Sequence, residues 1–175
     1  YDESISRMLD VFEKVNRDIP FNGLHWFFDH AETITERNIE RVKALGGGIA
    51  VQHRMAFQGE YFVDRYGKEA VKHTPPVAKM LALDVLVSGR TVGGMAMYDD
   101  ANRLPRDVAL ELWTAGSAWF SSEQGKKGRL AAGQLADLVV LSKDYFSVAE
   151  EEIKGIESVL TVVDGKVVYA AGHFS

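Results

Sequence analysis

Apolar residues at Ile5, Met8, Leu9, Phe12 and Val15 recur at the i, i+3, i+4, i+7 spacing of an amphipathic helix, and Pro20 ends what they begin. After Asn22-Gly23 the pattern changes. The aromatic run from Leu24 to Asp29 is too short for a helix and predicts a buried strand with His30 at its C-terminal end. A second helix carries Ile39, Val42 and Leu45 toward a core. Thr33 with Glu36, or Thr35 alone, is placed to cap it, and Gly46-Gly47-Gly48 ends it. Ile49 to His53 predicts another short strand. Strand, helix and strand with brief connections form a βαβ unit, which requires a parallel sheet covered by helices.

The polar stretch from Arg54 to Thr74 reads as a long loop, of the kind that shapes binding mouths. Pro75-Pro76 opens a helical turn through Val77, Met80 and Leu81. Local preference favours a strand from Leu83 to Ser88, but the neighbouring segments make that reading suspect. Val108, Leu112, Ala115 and Trp119 mark a helix after Pro105. Beyond it the pattern is all-β. Leu138 to Leu141 and Val159 to Val163 are strands, and Asp164-Gly165 signals a type I′ hairpin into Lys166-Val-Val-Tyr169. The domain change is placed near Gly125 to Gly128, dividing the chain into residues 1–125 and 126–175.

Composition narrows the function classes. The 175 residues are 46% hydrophobic and 26% charged, with a net charge of -5, as in a soluble globular chain. Scattered Lys and Arg give no footprint for nucleic acid, and no apolar run reaches the roughly 18 residues of a membrane span. With no cysteine, disulfides and thiolate metal sites are excluded, which fits a cytoplasmic enzyme. The absence of an initiator Met before Tyr1 points to a start upstream.

Several strings resemble one family. They are Trp26-Phe-Phe-Asp-His30-Ala-Glu32-Thr-Ile, Val51-Gln-His53-Arg-Met-Ala-Phe-Gln-Gly-Glu60, Ser88-Gly-Arg-Thr-Val-Gly-Gly94 and Thr114-Ala-Gly-Ser-Ala-Trp119-Phe-Ser. Gly128-Arg-Leu-Ala-Ala-Gly133-Gln-Leu-Ala-Asp137-Leu-Val-Val-Leu141 and the closing hairpin complete the set. Together they resemble the amidohydrolase superfamily, in its amidohydrolase-3 branch of N-substituted formamide deformylases and D-aminoacylase-like enzymes. The resemblance implies an α/β fold, the C-terminal part of a (β/α)8 TIM-type barrel followed by strands of a small β-sandwich. A whole barrel needs about 200 to 250 residues. Residues 1–125 would therefore be a partial barrel, about units five to eight, and residues 126–175 the sandwich portion.

The same resemblance implies a divalent metal, zinc first, as one ion or two. Its ligands in the family are an HxH pair on the first strand, a bridging carboxylated Lys or acidic residue, His on the fifth and sixth strands and Asp on the eighth. His30 falls at the sixth-strand position and is the one ligand carried over. The first-strand pair and the bridging residue would lie before Tyr1, and the fifth-strand His just before it. The eighth-strand Asp is missing from its place between the Pro75-Pro76 helix and Ser88-Gly89, because the chain jumps across Ala82-Leu83. Either a segment of a longer protein is omitted there, or the product lacks the strand. The first is favoured, because excising a barrel strand exposes two sheet edges.

For a lone His, a structural hydrogen bond is the ordinary reading, and only its place in the string turns His30 into a candidate ligand. His53, at the end of the next strand, is a candidate contact to substrate or to a metal-bound water. Arg54 and Glu60 are candidate substrate-binding residues, since a guanidinium can hold a carboxylate through two bonds, with a surface ion pair as the more ordinary reading. Asp29 and Glu32 flank His30 as supporting groups. Asp137, before a buried strand, is read as fixing a turn. No phosphate-binding glycine motif occurs.

The expected activity is metal-assisted hydrolysis of a non-peptide C-N bond in a small amide or formamide. The rival is a truncated, metal-free and inactive remnant that self-associates. Open sandwich edges would permit a homo-oligomer in either case.

Overall fold

The helix read from Ile5 and Leu9 spans Asp2–Asp18 (α1), and those two residues are its buried positions. Asp2 and Glu3 in its first turn and Arg17 in its last complement the helix dipole. The computed structural model describes residues 1–50, 54–71, 74, 76 and 95–174, with the backbone alone at Arg54, Ala56 and Phe57. These residues form α/β structure in two compact units, Tyr1–Pro105 and Arg106–Ser175.

In the first unit, β1 (Phe27–Asp29) and β2 (Gly48–Ala50) pair in parallel, with Phe28 opposite Ile49. α2 (Glu36–Ala44) connects them. The βαβ expectation holds, although β1 starts at Phe27 instead of Leu24. Leu9 from α1, Ile39 and Val42 from α2 and Ile49 from β2 share one buried cluster. Burying each such side chain is worth about 1.5 to 3 kcal/mol.

Aromatic rings extend that core: Phe12 stacks on Phe28 at 6.1 Å and meets Trp26 edge-on at 5.0 Å. The Trp26 ring lies over the main chain that ends α2. A Cβ at Gly47 would stand 2.3 Å from it, so only glycine fits there.

The helix caps differ from the sequence reading. Thr35 is the N-cap of α2, but its side chain makes no capping bond. The Asp2 carboxylate from α1 instead accepts from the Thr35 amide at 2.7 Å and from Asn38 Nδ2 at 2.9 Å. In return, Thr33 Oγ1 accepts from the Asp2 amide at 3.1 Å. Each helix start supplies the other's missing partner, a tertiary solution that no local cap motif encodes.

The long loop expected over Arg54 to Thr74 is corrected by two helices, α3 (Arg54–Tyr66) and α4 (Lys68–Val71). Met55 and Gly59 are buried and Phe62 and Val63 half-buried, which is a helical stripe. Gly67, at φ 83°, ends α3 with its amide donating to the Val63 carbonyl at 2.7 Å. Met55, Val71 and Met97 form a second small core. The predicted turn through Val77 to Leu81, the segment 83–89 and the jump at Ala82-Leu83 fall outside the described residues.

In the second unit, the helix after Pro105 begins as α5 (Arg106–Glu111), widens over Leu112–Gly116 and tightens over Ser117–Trp119. Only Ala109 and Ala118 are buried along it, and Trp113 is 58% exposed. Arg106 Nη1 donates to the Tyr145 carbonyl at 2.6 Å, tying α5 to the segment after the first sheet strand.

β3 (Leu138–Leu141), β4 (Ser158–Val163) and β5 (Lys166–Ala170) form an antiparallel sheet in chain order. Asp164 and Gly165 have φ of 51° and 71°, as a type I′ turn requires. Asp137 holds that turn from outside, its Oδ1 accepting from the Asp164 amide at 2.8 Å.

Candidate functional site

The strand β1 ends in an unusual turn. His30 and Ala31 both have left-handed backbones, at φ 73° and 52°. Such conformations cost non-glycine residues about 1 to 2 kcal/mol each, and they collect at functional sites. Main-chain bonds hold the turn. The His30 amide donates to the Ala50 carbonyl at the end of β2 and to Asp29 Oδ1, both at 3.0 Å. Burial of Ala31 and Ile34 anchors the chain on the other side.

The His30 ring stands 2.8 Å from Glu32, Nδ1 to Oε1, with His30 36% and Glu32 23% exposed at the side chain. A carboxylate beside Nδ1 favours the proton there and leaves the Nε2 lone pair available. Asp29 and Glu32 thus support His30 from two sides, one at the backbone and one at the ring.

Glu32 and Thr33 also line a cavity of about 390 Å³ beside α3. The α3 wall presents Met55, Gln58, Tyr61, Phe62, Arg65 and Tyr66. These positions follow helical spacing, so one face of α3 makes the wall. Tyr98 packs with Phe62 against the Met55 core. Its hydroxyl is buried without a hydrogen-bond partner among the described residues. Burial, and then the negative charge of Glu32, push the Tyr98 phenol well above its ordinary range.

His30 with Glu32 suits one arm of a metal site, since ligating imidazoles commonly have the other nitrogen held by a carboxylate. A full site is another matter. Among the described residues, no three His, Asp or Glu side chains gather in a group that could hold an ion. His53 lies outside the described residues. Arg54 is the first residue of α3, and its side chain is likewise not described. Glu60 is exposed on α3 and does not line the cavity. No described helix is long and apolar enough to cross a membrane.

The sequence reading missed the α3 face and Tyr98. For α3 a signal existed in Met55, Phe62 and Tyr66 at helical spacing. For Tyr98 there was none, because its burial comes from residues distant in the chain.

The chain is 28% identical to YtcJ of Bacillus subtilis (strain 168), which carries an amidohydrolase name, over 91% of this chain and 35% of that protein. It is 26% identical to the N-substituted formamide deformylase of Arthrobacter pascens, over 95% of this chain and 34% of that enzyme. The chain therefore spans about a third of the length of these relatives. Both matches run over more positions, 188 and 190, than the 175 residues present here. Each relative thus has residues within the matched stretch that lack a counterpart in this chain.

A crystal structure of a prolidase complexed with N-methylphosphonate-L-proline superposes with a TM-score of 0.54 at 16% identity, covering 98% of this chain and 50% of that one. An uncharacterized protein of known structure gives the same TM-score at 17% identity over 83% of this chain and 41% of its own. These likenesses support the fold. A model of the amidohydrolase family matches residues 1–169, nearly the whole sequence, and the chain belongs to that family.

Proposed function

We propose that this chain is part of a metal-dependent hydrolase that cleaves a non-peptide C-N bond in a small amide or formamide. The observation that carries this reading is the His30 turn. A histidine in a left-handed backbone at the carboxyl end of a parallel strand, with Nδ1 held by Glu32, suits a ligand presented toward a barrel mouth. In this reading residues 1–125 belong to the barrel and 126–175 to the sandwich.

His30 would hold a divalent ion, zinc first, whose remaining ligands come from residues outside the described set. Such an ion, when bound, supplies an acidified water and polarises the scissile carbonyl. The chain's own residues do the rest. Glu32 fixes the His30 ring, Asp29 and Ala50 fix its backbone, and His53 and Arg54 are proposed as substrate contacts. Glu60 on α3 is proposed as a further substrate contact. Family membership supports hydrolysis, and the name of the Arthrobacter relative supports a formamide as the first substrate to test.

The test combines metal analysis with turnover of an N-substituted formamide. Wild-type protein is expected to carry a divalent metal and release formate. His30→Asn should lose metal affinity and turnover by about 10- to 100-fold or more. Wild-type protein with neither metal nor hydrolysis would overturn the reading in favour of an inactive remnant.

A further inference from the structure

We propose that Tyr98 is a positioning residue for the His30 site: its buried phenol turns its hydrogen toward the Glu32 carboxylate, steadies it, and so keeps the proton of the His30 ring on Nδ1. This role rests on the reading of His30 as a metal ligand and extends it by one residue.

Two polar groups near the turn are left over. Glu32 gives Oε1 to His30 Nδ1 at 2.8 Å, and its second oxygen has no bond among the described residues. The Tyr98 hydroxyl is buried, also without a partner among the described residues. A buried hydroxyl with no partner is unfavourable and rare in folded chains. Phenylalanine would fill the same space without that penalty.

Packing brings the two groups together. Tyr98 lies with Phe62 against the core of Met55, Val71 and Met97. Met55 and Phe62 also line the cavity that Glu32 lines. These two side chains of α3 therefore share a core with Tyr98 and a cavity with Glu32. Burial, and then the Glu32 charge, hold the phenol in its protonated form, so it remains a donor.

The hydroxyl hydrogen swings about the C-O bond, and no described acceptor competes for it. Such a dipole orients in the local field, which here comes from Glu32. The consequence falls on the carboxylate. Glu32 is 23% exposed at the side chain, and attraction to the phenol limits its swing and keeps Oε1 at Nδ1. With the proton on Nδ1, the Nε2 lone pair stays open to an ion. Tyr98 acts through Glu32 and touches neither substrate nor ion.

Nitrogen-15 NMR of the chelator-treated full chain tests this at about pH 8.5, above the ordinary histidine range. The two neutral tautomers then give distinct ring-nitrogen shifts, and the His30 signals, among five histidines, are identified by their loss in His30→Asn. Wild-type His30 is expected to carry its proton on Nδ1. Tyr98→Phe should raise the share of the Nε2-protonated form by about threefold or more, and should weaken zinc binding, read against a competing chelator, by a similar factor. Glu32→Gln should shift the tautomer further, because it removes the charge itself. The urea midpoint of Tyr98→Phe should stay level or rise.

An unchanged tautomer share in Tyr98→Phe, undiminished zinc affinity, or wild-type His30 protonated on Nε2 would each overturn the proposal. A fall in the urea midpoint with the tautomer unchanged would assign Tyr98 a structural role instead. The hydrolase reading fails separately. A Tyr98-dependent tautomer in protein that takes up no metal and turns over no amide would refute hydrolysis alone, whereas metal and turnover with an unchanged tautomer would refute the Tyr98 assignment alone.

Discussion

The two units use similar apolar residues to opposite effect. In the first, Leu9, Val42 and Ile49 are fully buried, because α1 and α2 share a core with the parallel strand pair. In the second, Val167 and Val168 on β5 are 62% and 61% exposed, and Val139 and Tyr169 are half-exposed. Val167 and Val168 point to opposite faces, so β5 is open on both sides, and among the described residues β3 to β5 are a single layer without the second one that burial of such side chains requires. The contrast teaches that regular hydrogen bonding and a packed core are separable achievements. The first unit has both, whereas the described strands of the second rest mainly on their ladder and turn.

Urea unfolding tests this contrast most strongly at paired positions. Leu9→Ala should cost about 3 kcal/mol, because it leaves a cavity among buried neighbours. Val167→Ala should stay within about 0.5 kcal/mol. A comparable loss at both positions would show that something covers the sheet in solution.

If the second unit depends on its turn, Asp137→Ala should be felt there. It removes the acceptor of the Asp164 amide and should cost about 0.5 to 1 kcal/mol, reduced because the bond is exposed. Amide exchange at Asp164 should speed up while exchange in β1 and β2 stays unchanged. Acceleration in both units would break the separation.

The smallest effect concerns charge in the first unit. A hydrogen bond from Arg41 holds the Glu13 carboxyl below the ordinary glutamate range, opposed by some desolvation. A carboxylate with a depressed folded pKa adds stability that is complete above its unfolded pKa and is lost as pH falls through the folded value. Glu13→Gln should therefore lower the urea midpoint slightly at about pH 7, and the difference should close on acidification below the glutamate range. A difference that widens in acid would contradict the assigned sign. The pair is partly exposed, so screening keeps the effect modest.

How much the sequence disclosed follows from the range of the interactions involved. α1 and α2 were legible because Ile5, Leu9, Ile39 and Val42 keep a 3.6-residue period, and the hairpin because Asp164-Gly165 suits two positive φ angles. α3 was hidden. Gln58, Glu60, Asp64 and Arg65 made the segment look polar, and a buried glycine at position 59 broke the apolar count. The exchange of caps through Asp2 was invisible, since it joins residues more than thirty positions apart.

The candidate site was legible in part as an arrangement of residues. His30 stood out by its place in a family-like string, and Glu32 by its nearness in sequence. Histidine is among the residues enriched at positive φ, but alanine is not, so nothing local announced the left-handed pair. Tyr98 and the Arg65 face emerged only from packing.

The bend at His30 is held by the Ala50 carbonyl and the Asp29 carboxylate, both acting on the main chain. The imidazole takes no part in those two contacts. The direction of the side chain at position 30 is therefore set by the scaffold and not by the ring it carries.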